Sequence, residues 1–535
     1  MSEPFSMGAA LPPVPTQEVS IQKARLTTAI FCVMLAITLS ICYTVVQPDI
    51  LRGFEQVQNS AAVSVCLLLL PQGYRELRSW LKQSSQTDVG MDAIVTLLGL
   101  AVLIGLSWLR TYLSVNFMPF FWVLAVLLLC LSLWRFMPTR LEWRHWAVGG
   151  IVFAFYTYIA WVVWGFRYMS LRPNASLLAA TLHIDNLFHS SVAAMIQTYG
   201  VPSTGIDGPV YLPYHIASHW LFAQLAPLLD LSVFRFYNLA YPILIVPILF
   251  HSFLNFVVDL RSLDKLSSCK QDLRKDWKFW GLLFLGFVGF LPIVLYSKLR
   301  IFLSSSIVSQ SQLFALSLAF LCLSLCLKFL TYQHKNKNSI STGLLILCVS
   351  LLLWAITLSK VSVGFVLFNI VFYSVLRLRL YTHWLVWVGL IASIGLQLQA
   401  LSFMGYLGGS PMPSNPAQPF AYLAAIEPGL RVFWFPILFL WSVIYLSLRL
   451  QAIGLSTVGD LVIACRTGKI VEVEIIVVAC FLGLLPGMLL DLAGGAAYYF
   501  MDFQIWLSLS FLLGNLHCSD GLQIVLNPRC RSYIS

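Results

Sequence analysis

Long runs of apolar residues recur along almost the whole chain, and they constrain its fold more than any other feature. Residues 26–46, 118–136 and 384–402 are three of them. A helix needs about 20 such residues to cross the hydrocarbon core of a bilayer, whereas the strands of a membrane barrel would alternate apolar and polar residues. Only 10% of the residues are charged, against about 25% in a soluble domain. The sequence therefore predicts an all-α, polytopic transmembrane helical bundle.

The number of apolar runs predicts about 12–15 spans, with interfacial helices in an outer loop. The runs cover residues 26–46, 59–73, 92–109, 118–136, 146–168, 214–230, 233–258, 279–296, 313–331, 343–359, 361–377, 384–402, 431–449, 474–492 and 503–516. Three of these, namely 59–73, 214–230 and 503–516, are short. Each short run either crosses the membrane or forms a re-entrant or interfacial segment.

The same pattern divides the chain into five regions. They are a Pro-rich, polar N-terminal tail that we expect to be disordered (1–22), N-terminal transmembrane helices (23–145), a core with an outer loop at 169–213 (146–258), C-terminal transmembrane helices (259–516) and a polar C-terminal tail (517–535).

The formal net charge of +11 does not indicate a nucleic-acid partner, because the basic residues lie in short clusters between apolar runs. Clusters of this kind favour the cytoplasmic side of a membrane. Lys23 and Arg25 therefore predict a cytoplasmic N-terminus, and further clusters at 75–82 and 135–144 place the segment 169–213 on the outer face, provided that 59–73 crosses.

The side of the loop 259–277 stays open at this stage. The loop lies outside if the runs 214–230 and 233–258 both cross, and inside if 214–230 is only interfacial. Its five basic residues favour the inside.

Histidines and carboxylates are concentrated in the predicted outer segment. Four of the nine histidines lie between His183 and His219. Asp185 and His189 are spaced i, i+4, which places them on one face of an amphipathic helix. His215 and His219 repeat that spacing beyond a Gly- and Pro-rich turn.

These residue types suit acid–base chemistry or metal binding. A carboxylate can take a proton from an attacking hydroxyl, and two histidines at i, i+4 can chelate a divalent metal. Asp207, in the turn, supplies a second carboxylate. Structural roles remain as alternatives: Asp185 as a helix N-cap, Asp207 as a turn residue, and His215 and His219 as interface residues.

Two basic residues outside this segment are candidates for binding an anion. Lys360 lies between two apolar runs, with small neighbours at Ser359, Ser362 and Gly364 that leave room for a lipid headgroup. Its side chain either binds a lipid phosphate or extends to the membrane interface. Arg431, at the start of a span, is a second candidate partner for phosphate.

The region 146–258 resembles the start of the GT-C superfamily of membrane glycosyltransferases. The resemblance rests on the order of features: an apolar span, an outer loop with an acidic residue on an amphipathic helix, and the segment SHWLFAQLAPLLDLSVFRFYNLAYPILI. It implies that Asp185 is the catalytic carboxylate, which deprotonates or orients an acceptor hydroxyl. Asn186 stands where the family has a second acidic residue. The resemblance also favours a crossing 214–230 run, with the loop 259–277 outside.

The resemblance implies an integral membrane glycosyltransferase that moves a hexose or pentose from a polyprenyl-phosphate donor to an acceptor hydroxyl. The expected partners are this lipid-linked donor and membrane lipids, and the expected location is a bacterial inner membrane with a periplasmic site. We expect Asp185 and His189 to be catalytic. The expected substrate-binding residues are His183, Asp207, His215, His219, Lys360 and Arg431. A divalent metal is a possible cofactor.

The alternative is a transporter or flippase for a lipid-linked or anionic substrate, in which the histidines relay protons or contact the substrate. It predicts ionisable residues deep within the spans.

Overall fold

A computed structural model of the chain describes residues 16–46, 50–81, 89–136, 184–263, 309–333, 340–407, 439–452, 457–467, 470–489 and 498–514. These ranges contain helices and no β-strand. Seven helices within them are long and apolar enough to cross a membrane. The prediction of an all-α, polytopic helical bundle is confirmed.

The α-helices of the described ranges are α1 (Thr16–Val46), α2 (Ile50–Trp80), α3 (Met91–Leu113), α4 (Met118–Phe136), α5 (Ile184–Tyr199), α6 (Ala217–Leu228), α7 (Tyr241–Leu263), α8 (Gln310–Gln333), α9 (Ile340–Ser359), α10 (Val361–Arg377), α11 (Trp384–Phe403), α12 (Leu440–Ala452), α13 (Val458–Thr467), α14 (Val471–Leu489) and α15 (Tyr498–Gly514). A single turn at Val233–Arg235 and a π-helix at Phe236–Ala240 lead into α7.

One end of the bundle is held together by buried charges, and we refer to it as the basic end. Arg25 of α1 donates to Asp259 of α7, with 2.6 Å between Nη2 and Oδ1. Arg25 also lies 3.3 Å from Asp92 of α3, which is paired with Arg75 of α2. Breaking such a pair leaves a buried charge uncompensated. The network therefore fixes the starts of α1 and α3 beside the ends of α2 and α7.

The opposite end, which we call the histidine end, is fixed by polar contacts around Asp230. Gln56 of α2 donates from Nε2 to the backbone carbonyl of Asp230 across 3.1 Å, and Arg235 donates to the Gln56 side chain, also across 3.1 Å. Since Gln56 lies at this end and Arg75 at the basic end, the 31-residue helix α2 runs the length of the bundle. The short run 59–73 is thus part of a helix that extends from one end of the bundle to the other.

The short run 214–230, in contrast, does not form a helix long enough to cross a membrane. It forms α6, whose 12 residues extend only about 18 Å at 1.5 Å per residue, too little for a hydrocarbon core of about 30 Å. The following element, 233–262, is long enough to cross, and the Arg25–Asp259 pair places its last turns at the basic end. The chain therefore leaves α7 on the side where α1 begins, which is the arrangement favoured by the basic residues of the loop 259–277.

The short run 503–516 belongs to α15, which crosses the bundle. Tyr499, in its first turn, contacts Lys360 at the end of α9. Near the other end, the carbonyl of Leu513 accepts from Arg261 at 2.9 Å from Nε and 2.6 Å from Nη2. Because Arg261 follows Asp259 by two residues, α15 ends at the basic end.

Several sequence predictions lie outside the described residues. They are the runs 146–168 and 279–296, most of the N-terminal tail, the first part of the run 431–449, the C-terminal tail, His183 and Arg431.

Candidate functional site

Side chains from five parts of the chain meet at the histidine end and form what we call the histidine cluster. Its members are Asp185 and His189 from α5, Tyr214 and His215 from the segment before α6, His219 from α6, Lys360 from the junction of α9 and α10, and Tyr499 and Asp502 from α15.

Helix α5 positions Asp185 and His189 because both of its ends are anchored. Asn186 is buried, and its side-chain oxygen accepts from Gln310 of α8 across 2.9 Å. At the other end, Gln197 donates to the carbonyl of Ala223 across 3.0 Å. Asp185 lies in the first turn, where a carboxylate is favoured by the helix dipole, and its side chain is exposed.

Stacked rings connect α5 to the buried helix α6. The imidazoles of His189 and His219 are stacked, with 4.9 Å between their centroids. Tyr214 lies 3.7 Å from His215 and 5.7 Å from His219, centroid to centroid. The π-helix before α7 presents the hydroxyl of Tyr237 to Nδ1 of His219. Single π-helical turns of this kind are frequent at functional sites.

The buried imidazoles are neutral at ordinary pH. Burial lowers the pKa of His215 well below its ordinary value, and the charges of Lys360, His219 and His189 lower it further. Burial, His189 and Lys360 likewise lower the pKa of His219. Nε2 of each ring has no hydrogen-bond partner within the described part of the chain. Both nitrogens are also almost fully enclosed, so the two rings form the buried side of the cluster.

Lys360 is the cation of the cluster. Its backbone is extended, with φ −161° and ψ 109°, between the last residue of α9 and the first of α10. Nζ lies 3.8 Å from the ring centroid of Tyr499. Burial lowers the pKa of Lys360 to about 8, while the carboxylates of Asp502 and Asp185 raise it. Two carboxylates from different helices thus act on one ammonium group.

The structure brings together five of the residues selected from the sequence: Asp185, His189, His215, His219 and Lys360. Asp207 is separate, because it is exposed in the turn that the Gly205–Gly208 bridge closes, and none of the ring or ionic contacts of the described residues joins it to the cluster.

Other members of the site were missed in the sequence. Tyr214, Tyr237 and Tyr499 were not selected from the sequence, and neither was Asp502. Its signal was that it is an acidic residue in an otherwise apolar helix, and it is buried, with 1% of its surface exposed.

The described residues contain no group of three or more His, Cys, Asp or Glu side chains placed to hold a metal ion. The geometry of the histidines explains this finding. The rings of His189 and His219 are stacked with an interplanar angle of 19°, whereas metal ligation needs in-plane nitrogen lone pairs that converge on one point.

Comparison of the chain with protein-family models, with curated proteins and with solved structures found no match. The class of protein is therefore defined by the fold and the cluster alone. It is a multi-pass helical membrane protein with a half-buried lysine, neutral histidines and two carboxylates gathered at one end of its bundle.

Proposed function

We propose that this protein is a membrane glycosyltransferase of the GT-C type, which moves a sugar from a polyprenyl-phosphate donor to an acceptor hydroxyl. One observation carries the proposal: Lys360, at the ends of two apolar helices, lies close enough to Asp185 on the surface helix α5 for the carboxylate to raise its pKa. A cation at the membrane surface beside a solvent-accessible base matches what the reaction needs.

In the proposed reaction the acceptor oxygen attacks the anomeric carbon of the donor. The bond between that carbon and the phosphate oxygen breaks, and polyprenyl phosphate leaves with the bonding electron pair. Lys360 neutralises the charge that develops on the leaving phosphate. Asp185 takes the proton of the acceptor hydroxyl.

The histidines of the cluster have supporting roles in this scheme. His189 lies one helical turn after Asp185, and its stacking on His219 holds that part of α5 against α6. His215 and His219 pack against Tyr214 and His189, and as neutral imidazoles they do not compete with Lys360 for the phosphate.

The distribution of charge supports a site on the outer face, which in a bacterial inner membrane is the periplasmic face. Basic residues of the described ranges that lie at or near the basic end are Lys23, Arg25, Arg75, Arg78, Arg135, Arg261, Lys328, Arg377, Arg379, Arg449 and Arg466. Among the described residues, those at the histidine end are Arg52, Arg110, Arg235 and Lys360. Because Lys and Arg concentrate on the cytoplasmic side, the histidine end faces outward in the proposal.

A transporter or flippase for a lipid-linked or anionic substrate is the second candidate. It is favoured by Asp502, a buried carboxylate inside a helix that crosses the bundle. Ionisable residues within spans often mark the path of an ion or substrate. The two candidates differ in whether the bond between sugar and phosphate breaks.

The test is donor turnover by the purified protein in lipid. We would offer a panel of polyprenyl-phosphate hexoses and pentoses together with candidate acceptors, and follow the release of polyprenyl phosphate. The proposal predicts release by the wild type, loss with Asp185→Asn, and full activity in the matched control Asp207→Asn. Transport of intact donor across a vesicle membrane, without release, would support the second candidate.

A further inference from the structure

An apolar cavity, partly open to its surroundings, lies in the half of the bundle that is away from the histidine cluster. Its volume, taken as the space open to the centre of a water-sized sphere, is about 150 Å³. Helices α7 to α11, α14 and α15 line it. Leu353 of α9 is the lining residue nearest to Lys360 in sequence, and seven residues of helix separate them by about 10 Å along the axis.

The lining of the cavity offers nothing to a polar ligand. No charged residue is part of it, and its polar side chains are those of Ser350, Ser374, Ser393 and Cys326. The serine hydroxyls are already used: Ser350 donates to the Ile346 carbonyl across 3.0 Å, Ser393 donates to Ser350 across 2.9 Å, and Ser374 donates within its own helix. An occupant therefore needs to be hydrocarbon, because a polar group would lose its hydrogen bonds there.

Helix packing gives the cavity its shape. Helix α11 packs closely on α9, where a side chain at Gly389 would collide with Ile346. In contrast, α10 and α11 make little direct contact and meet mainly through the 3₁₀ turn Leu380–Thr382. Among the described helices, the space between α10 and α11 is thus left for the cavity.

A positively charged residue, Arg379, lies at the edge of this space at the basic end. Leu378 and Leu380 line the cavity, and Arg379 between them is exposed. The nearby Arg377 is held by Glu474, with 2.9 Å between Nη2 and Oε1. Arg379 has no ion-pair partner within the described residues, so its charge is available to an anion.

We infer that the cavity binds an acyl chain of an anionic phospholipid, taken from the leaflet at the basic end. The apolar lining fits the hydrocarbon chain, and Arg379 at its edge fits the negative headgroup. The charge is what selects this occupant over a neutral lipid. This site is separate from the histidine cluster, and the inference does not depend on glycosyl transfer.

The test is lipid retention by the purified protein, measured by native mass spectrometry. The wild type is incubated with mixed micelles of phosphatidylglycerol and phosphatidylcholine in equal amounts and then freed of excess lipid. We expect one phosphatidylglycerol molecule to remain per chain. Two variants fill the cavity from α10, Val371→Phe and Ser374→Leu, and either one should lose the bound lipid. Leu376→Phe, on the exposed side of the same helix, is the matched control and should keep it.

The headgroup contact is tested separately. Arg379→Gln should still bind lipid but lose the preference for phosphatidylglycerol, whereas Arg466→Gln, an exposed arginine of α13, should keep that preference. Melting curves identify any variant that fails to fold. If one of the two cavity-filling variants is unfolded, the other one serves for the test. Equal retention by the wild type and a folded filling variant would overturn the inference, as would a wild-type preference for phosphatidylcholine.

Discussion

The ammonium nitrogen of Lys360 lies 3.8 Å from the ring centroid of Tyr499, where the junction of α9 and α10 meets the first turn of α15. A cation over an aromatic face is stabilised by about 0.5–2 kcal/mol, depending on how far it is desolvated. The ring is uncharged, so it positions the ammonium group without neutralising it. Its charge then acts toward Asp185 and Asp502 and toward any anionic ligand that enters between them.

This arrangement predicts the alkaline side of the pH profile. Burial lowers the pKa of Lys360 to about 8, so its ammonium is charged below that pH and loses its charge as the pH rises through it. Turnover should therefore fall above about pH 8, because the neutral amine no longer stabilises the leaving phosphate. Asp502→Asn removes a carboxylate that raises the pKa of Lys360, so the fall should move to lower pH. Turnover measured from about pH 6 to pH 10 tests this.

The control for the pH experiment is Asp207→Asn, which removes a carboxylate outside the cluster and should leave the profile unchanged. A profile that Asp502→Asn does not move would contradict the assignment of the alkaline limb to Lys360.

The contact between Tyr237 and His219 predicts a loss of stability when the hydroxyl is removed. Tyr237→Phe leaves Nδ1 of the fully buried His219 without its partner. A buried polar group left unsatisfied costs about 1–3 kcal/mol, so the free energy of unfolding should fall by that amount. Tyr43→Phe is the matched control, since the buried hydroxyl of Tyr43 has no partner among the described residues. Thermal melting in detergent compares the two, and equal melting temperatures would show that the contact is not stabilising.

The ion pairs of the basic end predict a contrast between buried and exposed pairs. Arg25 and Asp259 have side chains that are each 2% exposed, so Asp259→Asn should destabilise by about 3–5 kcal/mol, because Arg25 and Arg75 are then left with the single carboxylate of Asp92. The pair of Arg135 and Glu76 is more open, with Arg135 53% exposed, and Arg135→Gln should cost about 0–1 kcal/mol. Unfolding in a denaturing detergent measures both. A small effect of Asp259→Asn would mean that this network does not hold the bundle end together.

The proposed sidedness predicts which residues react from outside the cell. Ile206, 84% exposed in the turn beyond α5, belongs to the histidine end, and Arg466 belongs to the basic end. Ile206→Cys should react with a membrane-impermeant maleimide on intact cells. Arg466→Cys should react only after the membrane is permeabilised, and the unsubstituted chain gives the background from its own cysteines. The reverse pattern would refute the outward orientation of the site.

The sequence predicted the fold class because burial of apolar runs in a bilayer leaves few alternatives to helices. It did not decide the fate of the short runs. The residues of 59–73 continue as helix through polar flanking residues, so α2 is twice as long as its apolar part suggests. The run 214–230 follows Pro213 and begins with Tyr214, His215 and Ile216, which precede the helix, so only α6 is helical. The side of the bundle on which α7 ends is set by the contact of Arg25 with Asp259, which are 234 residues apart in the sequence.

Part of the cluster was predictable for a local reason. Asp185 with His189, and His215 with His219, show their helical spacing in the sequence itself. Tyr237, Tyr499 and Asp502 join them only through packing of distant helices, and nothing in their local sequence specifies those partners. Sequence periodicity therefore located the face of α5 and not the groups that complete the site.

The most direct test of the proposed site is the rate of polyprenyl-phosphate release by Lys360→Met, compared with the wild type and with Arg466→Gln at the opposite end of the bundle. Loss of one preorganised charge that stabilises a transition state slows a reaction by about 10²–10³-fold. The account predicts a fall of this size for Lys360→Met, in protein whose melting temperature is maintained, and none for Arg466→Gln. Unchanged release by folded Lys360→Met would contradict the central claim that this lysine meets the leaving phosphate.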